Sequence, residues 1–448
     1  MTIKIIIAIY FLGILSVGLI SYFRIKSPAD YYVAGKNAGF TAVTGSLLAT
    51  ILGGSAILGT IELSWSKGWP AVWFLFSAAL GLIALVPLSK YVKRFGNYTL
   101  PEMLGTFYGK KAEIISAVII PVAWTGIVAA QIIATAKILN ELGIVSYNQG
   151  VILGGSVFII YTLSGGQVSI LKTDRIQAVL IIVGLATLVV FSLNKSSVVQ
   201  HPTFNVKALF NSTFTLTDLL ILILTYSVTF VVGPDIYSRI FCAKNEKTVK
   251  QSIIVVALIL IPVSFALTWL GLFSQISGSS GITGFAEHLL PDWAFGLFIA
   301  AILSALMSSA DTTLLTSSII LSELTGGNLD HNNALKRTRY FIIGIGFISI
   351  LISIFITSIV QALLFALTIF SGAFVVPVFA GLMRIKVQKQ RIVTTIITGG
   401  VVALCGKIIH DFYHEIIGNS LIIVAYIISA LLLFVTLSTS SKEKIYIK

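Results

Sequence analysis

Residues 301–318 read AILSALMSSADTTLLTSS, an apolar run interrupted by hydroxyls and one carboxylate. With AFGLFIA before it and IILSEL after it, the stretch exceeds the roughly 20 residues that cross a membrane as a helix. Inside hydrocarbon the backbone must satisfy itself, and a polar side chain needs a partner, a cavity or an ion. Ala305, Ser308, Ser309, Thr312 and Thr316 follow helical spacing and share one face. Hydroxyl and carbonyl oxygens on such a face suit a small hard cation, and Na+ needs fewer carboxylates than tight Ca2+ binding does. Serines and threonines also glue helices together, or bond back to the carbonyl four residues earlier. The choice between these readings rests on the rest of the chain.

Composition fixes the class as an all-α, polytopic membrane protein. Of 448 residues 56% are hydrophobic and 10% charged, and the mean hydropathy is +0.99, outside the range of soluble domains. Thirteen apolar runs are predicted: a leading helix at 3–23, ten core runs near 40–64, 69–90, 112–139, 148–165, 168–193, 217–238, 251–277, 292–323, 339–359 and 361–384, and two more near 391–411 and 419–438. The leading run has a single lysine, Lys4, and no cleavage site of the kind a signal peptide carries, and reads as a permanent helix. Residues 1–448 thus form a single transmembrane domain, with five-helix units at 40–193 and 217–384 and two C-terminal helices within 391–438.

The net charge of +13 points to a lipid bilayer rather than to nucleic acid, because of where the bases fall. Twenty-four of the 30 Lys and Arg residues lie in loops of one parity, Arg239 among them; Lys4, Lys67, Lys137, Lys195, Lys207 and Lys407 make up the other side. The positive-inside rule then places the N-terminus outside and the C-terminus in the cytoplasm of a cell (inner) membrane protein. No transition-metal spacing of His and Cys occurs, nor an HExxH, a paired Asp-rich motif or a Ser/His pair at one depth, so the sequence indicates no enzyme.

Two spans carry breaks. SLLATILGGSAILGT (46–60) has Gly53, Gly54 and Ser55 at mid-membrane, where unwinding would free carbonyls such as those of Ala49 and Leu52. At 1.5 Å per residue Ala49 lies about 14 Å from one membrane face and Ala305 about 20 Å from the other, so the break and the hydroxyl face meet at one depth. TYSVTFVVGPDIYSR (225–239) has Gly233-Pro234 within its run. Interrupted helices five spans apart point to a transporter site in an inverted repeat. Thr99, Pro101 and Glu102 predict a capped short helix. Asp174 stands between Lys172 and Arg175, and a surface ion cluster is its ordinary explanation.

On these residues the chain resembles the sodium:solute symporter family. The resemblance rests on YYVAGK (31–36), SLLATILGGSAILG (46–59), NYTLPEML (97–104), SGGQVSILKTDRIQ (164–177), GPDIYSRIFCAKNEK (233–247), ALMSSADTT (305–313) and SGAFVVPVFAGLM (371–383), in order. It implies a LeuT-like fold of inverted five-helix repeats and Na+ as coupling ion, with carbonyl ligands at Ala49, Leu52 and Ala305 and hydroxyl ligands at Ser308 and Ser309. It further implies a second cation site at Asp174, Ser308, Asp311 and Thr312. Many relatives carry a small or hydroxyl residue where this chain has Asp311. The small-molecule solute would contact Ser55, Phe74, Ser77, Gln131, Tyr226, Phe230 and Thr368.

The function these features imply is sodium-coupled import of a small organic solute, an amino acid such as proline or a small organic acid, by alternating access. A proton-coupled or sodium-independent carrier of the same fold, or a transport-derived sensor, fits the same residues. The pairing of Asp311 with Asp174 motivates the proton-coupled reading.

Overall fold

The computed structural model describes residues 2–22, 27–95, 98–194, 202–278, 281–327, 329, 332–385 and 387–434. Phe23, residues 435–438 of the last predicted helix, and the bases Arg24, Lys26, Lys195, Lys386, Lys442, Lys444 and Lys448 lie outside the described residues. A chain in hydrocarbon has to close its own backbone hydrogen bonds, and the described residues do so as helices and turns, with no β-strand among them. The principal helices are α1 (Thr2–Tyr22), α2 (Phe40–Ile51), α3 (Gly54–Lys67), α4 (Val72–Leu85), α5 (Lys110–Glu141), α6 (Tyr147–Asn194), α7 (Leu216–Leu222), α8 (Val228–Val232), α9 (Pro234–Cys242), α10 (Glu246–Ile276), α11 (Asp292–Gly326), α12 (Asn332–Phe355), α13 (Ile359–Leu382), α14 (Ile392–Phe412) and α15 (Glu415–Phe434).

Among the described residues nine segments are long and apolar enough to cross a membrane, and two bent pairs raise this to eleven. α6 is one of the nine, yet its 48 residues would extend about 72 Å as a straight helix, against a hydrocarbon core of about 30 Å. It turns at Gly166, whose φ of 53° and ψ of −166° leave the helical region, between the predicted runs 148–165 and 168–193. Only glycine fits here: a Cβ would lie 2.5 Å from Cδ2 of Tyr31. Tyr31 belongs to the short helix Pro28–Val33, capped by Ser27 and Asp30, which buries Tyr31, Tyr32 and Val33.

α11 is the centre of the molecule. Every residue from Ala301 to Ile320 is buried, and the helix packs on α6, α5, α12, α2 and α1. Its hydroxyls therefore face protein rather than lipid. α12, α14 and α15 lie at the periphery, with Ile343, Phe347, Phe355, Val401 and Ile416 exposed, an apolar surface that a bilayer covers. α12 begins seven residues before the predicted 339, because its basic first turns, which score poorly for hydrocarbon, remain helical outside it.

One end of the bundle is tied together through backbone bonds. The Ala38 N–H donates to the Cys242 carbonyl at 2.9 Å, and the Lys244 N–H to the Ala38 carbonyl at 3.0 Å. Those two bonds hold the end of α9 against the start of α2, and the Lys93 ammonium, on the short helix Ser89–Phe95, donates to the carbonyls of Phe241 (3.0 Å) and Ala243 (2.5 Å). The predicted capped helix is Leu100–Tyr108; the Thr99 hydroxyl accepts from the Glu102 N–H, and the Tyr108 hydroxyl donates to the Pro377 carbonyl of α13 at 2.6 Å.

Candidate functional site

The first break forms because two glycines let another helix come too close for any side chain. A Cβ on Gly53 would stand 2.0 Å from the Ser309 Oγ, and one on Gly54 would stand 2.1 Å from Cδ2 of Leu306. The α2 hydrogen-bond ladder ends with the Leu52 N–H on the Leu48 carbonyl, and α3 resumes with the Ala56 and Ile57 N–H groups on the Gly53 carbonyl. The carbonyls of 49–52 thus lose their usual helical donors. α2 and α3 bend by 41° at this point. The Ser309 hydroxyl of α11 donates to the Thr50 carbonyl at 2.7 Å. Ala49, Leu52, Ala305 and Ser308 are fully buried and Ser309 nearly so, which brings the break and the hydroxyl face together as their depths predict.

The second break delivers a charge. A π-helical turn at Ile223–Ser227 leads into α8, Gly233 is extended, and Pro234 opens α9 with its missing N–H at a position where none is needed. One turn further Arg239 points inward and is fully buried. Its Nε donates to the Ser46 Oγ at 3.0 Å, Nη1 to the Ser238 Oγ at 3.0 Å, and Nη2 to the Thr50 Oγ1 at 2.9 Å and to Thr312. The Nη2 atom also forms an ion pair with Asp174 Oδ2 at 3.3 Å. Asp174 accepts from the Ser46 hydroxyl and, at 2.6 Å, from the Ser308 hydroxyl.

This arrangement corrects two expectations. Asp174 is not part of a surface cluster: it is fully buried, and its partner is Arg239 rather than Arg175, whose Nε bonds the Leu171 carbonyl. Adjacent residues on a helix point about 100° apart, so sequence neighbours rarely pair there. Arg239 in turn does not belong with the loop bases, and twenty-three remain on that side.

Asp311 joins the same node through Thr312, whose hydroxyl lies 3.4 Å from its Oδ1 and donates to the Ser308 carbonyl at 2.8 Å. The Asp311 Oδ2 is buried and has no hydrogen-bond partner. Two carboxylates and one guanidinium leave a formal charge of −1 on the node. A buried charge without a counter-charge is costly, so the arrangement is complete only with a proton or a monovalent cation.

Beside the node lies a cavity of about 60 Å3, room for a few waters at about 10–15 Å3 each. Thr50, which accepts from Arg239, and Ser309, which donates to the Thr50 carbonyl, both line its wall. Of the residues nominated for solute contact, Ser55, Gln131, Tyr226 and Phe230 line it; Phe74, Ser77 and Thr368 do not. Phe74 stacks behind Tyr226 with centroids 4.4 Å apart, and the Ser77 hydroxyl bonds the Phe74 carbonyl. Thr368 is buried, with its carbonyl accepting from Ser371. Gln131 accepts from the Ser55 N–H at 3.2 Å and donates to its hydroxyl at 2.6 Å, fixing the first turn of α3. Sequence reasoning missed Ser46, Thr50, Trp124, Thr229, Asp235 and Arg239. Ser46 and Thr50 could have been found from their i, i+4 spacing ahead of the glycine break.

The family model described as Sodium:solute symporter family matches residues 31–399. The Sodium/proline symporter of Haemophilus influenzae is 27% identical over 352 residues, covering 70% of this chain and 69% of that protein. The High-affinity proline transporter PutP of Bacillus subtilis is 23% identical over 334 residues, 69% of this chain and 70% of that one. A solved structure described as the substrate-bound outward-open state of a Na+-coupled sialic acid symporter superposes with a TM-score of 0.78 at 19% identity, over 96% of this chain and 98% of the other. That likeness shows a shared, LeuT-like fold.

The node's ion pair generates a stability prediction. Replacing Arg239 by Met leaves Asp174 buried without its cation and should cost about 3–5 kcal/mol, read as a lower thermal midpoint in detergent. Adding Asp174→Asn to that variant should recover part of the loss. A double variant no more stable than Arg239→Met would show that the pair is not what the node depends on.

Proposed function

The chain belongs to the sodium:solute symporter family, and from that premise we propose that it imports a small organic solute by coupling it to Na+ through alternating access. The ion sits where the α2–α3 break meets α11. Carbonyls of Ala49, Leu52 and Ala305 and hydroxyls of Ser308 and Ser309 supply a neutral oxygen cage of the kind a small monovalent cation takes. The observation that carries this reading is the Ser309 hydroxyl seated on the Thr50 carbonyl, an oxygen-rich contact between a hydroxyl face and an unwound turn. A second cation would use Asp174, Ser308, Asp311 and Thr312. Since Arg239 already holds Asp174 and Thr312, the free oxygen of Asp311 is what this site adds. The same oxygen supports a second reading, in which a proton rides on Asp311.

The solute occupies the cavity next to the ion. Two relatives named as proline carriers, and the smallness of the cavity, favour an amino acid such as proline or a small organic acid. A shared wall at Thr50 and Ser309 couples the two sites: an ion that orders the α2–α3 break also orders the solute's binding surface. The membrane is a cell (inner) membrane crossed thirteen times, α1 included, with the N-terminus outside and the C-terminus in the cytoplasm. The surplus of bases at one set of helix ends supports that orientation.

Reconstituted into liposomes, the protein should accumulate solute with an inward Na+ gradient and not with K+ in its place. Ser308→Ala and Ser309→Ala should each raise the half-saturating Na+ concentration about tenfold, equivalent to about 1.4 kcal/mol. Unchanged sodium dependence in both would move the ion elsewhere. For orientation, in a background lacking Cys405, a cysteine at Ser277 after α10 should react with an impermeant thiol reagent added outside cells, and one at Asn333 on α12 should not. The reverse pattern would invert the topology.

A further inference from the structure

Asp235 is the second residue of α9 and lines the cavity. Among the described residues no basic side chain lies within 4.0 Å of its carboxylate. The nearest guanidinium in sequence, Arg239, spends its N–H groups on Ser46, Ser238, Thr50, Thr312 and Asp174, and touches Asp235 only at the backbone carbonyl. The start of its own helix favours the negative charge but does not neutralise it. A carboxylate on the wall of a membrane-depth cavity is costly unless something positive enters. Tyr226 and Phe230 line the same cavity, and aromatic rings are surfaces that attract an organic cation.

Other lining residues offer donors. Trp124 is fully buried and lines the cavity, and its indole N–H has no hydrogen-bond partner. A buried donor left unmade favours whatever acceptor completes it. Gly53, the N-cap of the 14-residue helix α3, and Ser55 in its first turn also form part of the wall. There the Ser55 N–H is taken by Gln131, and the helix start carries partial positive charge. The cavity lining therefore holds a carboxylate from α9 and donors from α5 and the start of α3.

We propose that Asp235 is the specificity-determining residue of this carrier: it receives the protonated amine of a zwitterionic solute, whose carboxylate is met by the Trp124 N–H and the start of α3. This rests on the carrier reading above and narrows it, excluding simple organic acids and polyols. An amine-free acid would place its carboxylate in a cavity that already holds one, and a polyol would leave Asp235 without a counter-charge.

The test is uptake into proteoliposomes of labelled amino acids, each paired with the acid that lacks its amine, such as L-proline with cyclopentanecarboxylate. With an inward Na+ gradient, uptake should be confined to amine-bearing solutes, and a tenfold excess of the amine-free partner should not compete. Asp235→Asn should lower uptake of the preferred solute at least tenfold, while Asp235→Glu, which keeps the charge, retains more than Asp235→Asn does. Monodisperse elution of each variant controls for folding, and the half-saturating Na+ concentration for tryptophan-fluorescence quenching, read without solute, should stay within twofold of wild type. Uptake of amine-free acids or polyols, undiminished uptake by Asp235→Asn, or a raised Na+ requirement with the amine preference intact would each overturn the proposal. Uptake that persists without a Na+ gradient yet falls in Asp235→Asn would instead refute the sodium coupling and support the role of Asp235.

Discussion

The fold depends on a guanidinium held at membrane depth. Arg239 joins three other elements at one point: Ser46 and Thr50 on α2, Asp174 on α6 and Thr312 on α11. An ion pair in such a place adds little net stability, because desolvating both charges offsets most of their attraction. What it enforces is geometry. Removing either partner strands the other, so α2, α6, α9 and α11 hold this one mutual position or pass together to another. For a transporter that has to move about a fixed ion site, a buried polar joint between two broken helices is a place where two arrangements of similar energy can exist.

Much of this was legible in the sequence, for identifiable reasons. Gly53-Gly54 and Gly233-Pro234 were readable because glycine and proline alter the backbone itself, whatever surrounds them. The face of Ser308, Ser309 and Thr312 followed from helical spacing, and the turn at Gly166 followed from the length of bilayer a helix can cross. What escaped depended on which way a side chain points. Arg239 stands just before Lys244, Lys247 and Lys250, and only the packing of α9 separates it from those loop bases. Asp235 reads as an ordinary acid in a first helical turn. Phe74 was placed on the right face of α4 but one layer too far forward, since Tyr226 fills the position in front of it. The π turn at Ile223–Ser227, which sets the angle of Tyr226, leaves no mark in local propensity.

Cation node and cavity are neighbours by construction. Thr50 gives its hydroxyl to Arg239, its carbonyl to Ser309 and its remaining surface to the cavity wall. An ion that draws the carbonyls of 49–52 inward changes the node and the cavity through one residue, with no long pathway needed. The formal charge of −1 on Asp174, Asp311 and Arg239 bears on the second cation of the proposal rather than on the first. The Asp311 Oδ2 is the buried oxygen of that node left without a hydrogen-bond partner.

The claim that a cation completes this node is tested most directly by equilibrium binding of radiolabelled Na+ to the purified protein across a range of pH, wild type against Asp311→Asn. The account predicts that the variant binds one ion fewer per chain, or loses the competition between protons and Na+ that the wild type shows. The same stoichiometry and the same pH dependence in both proteins would contradict it.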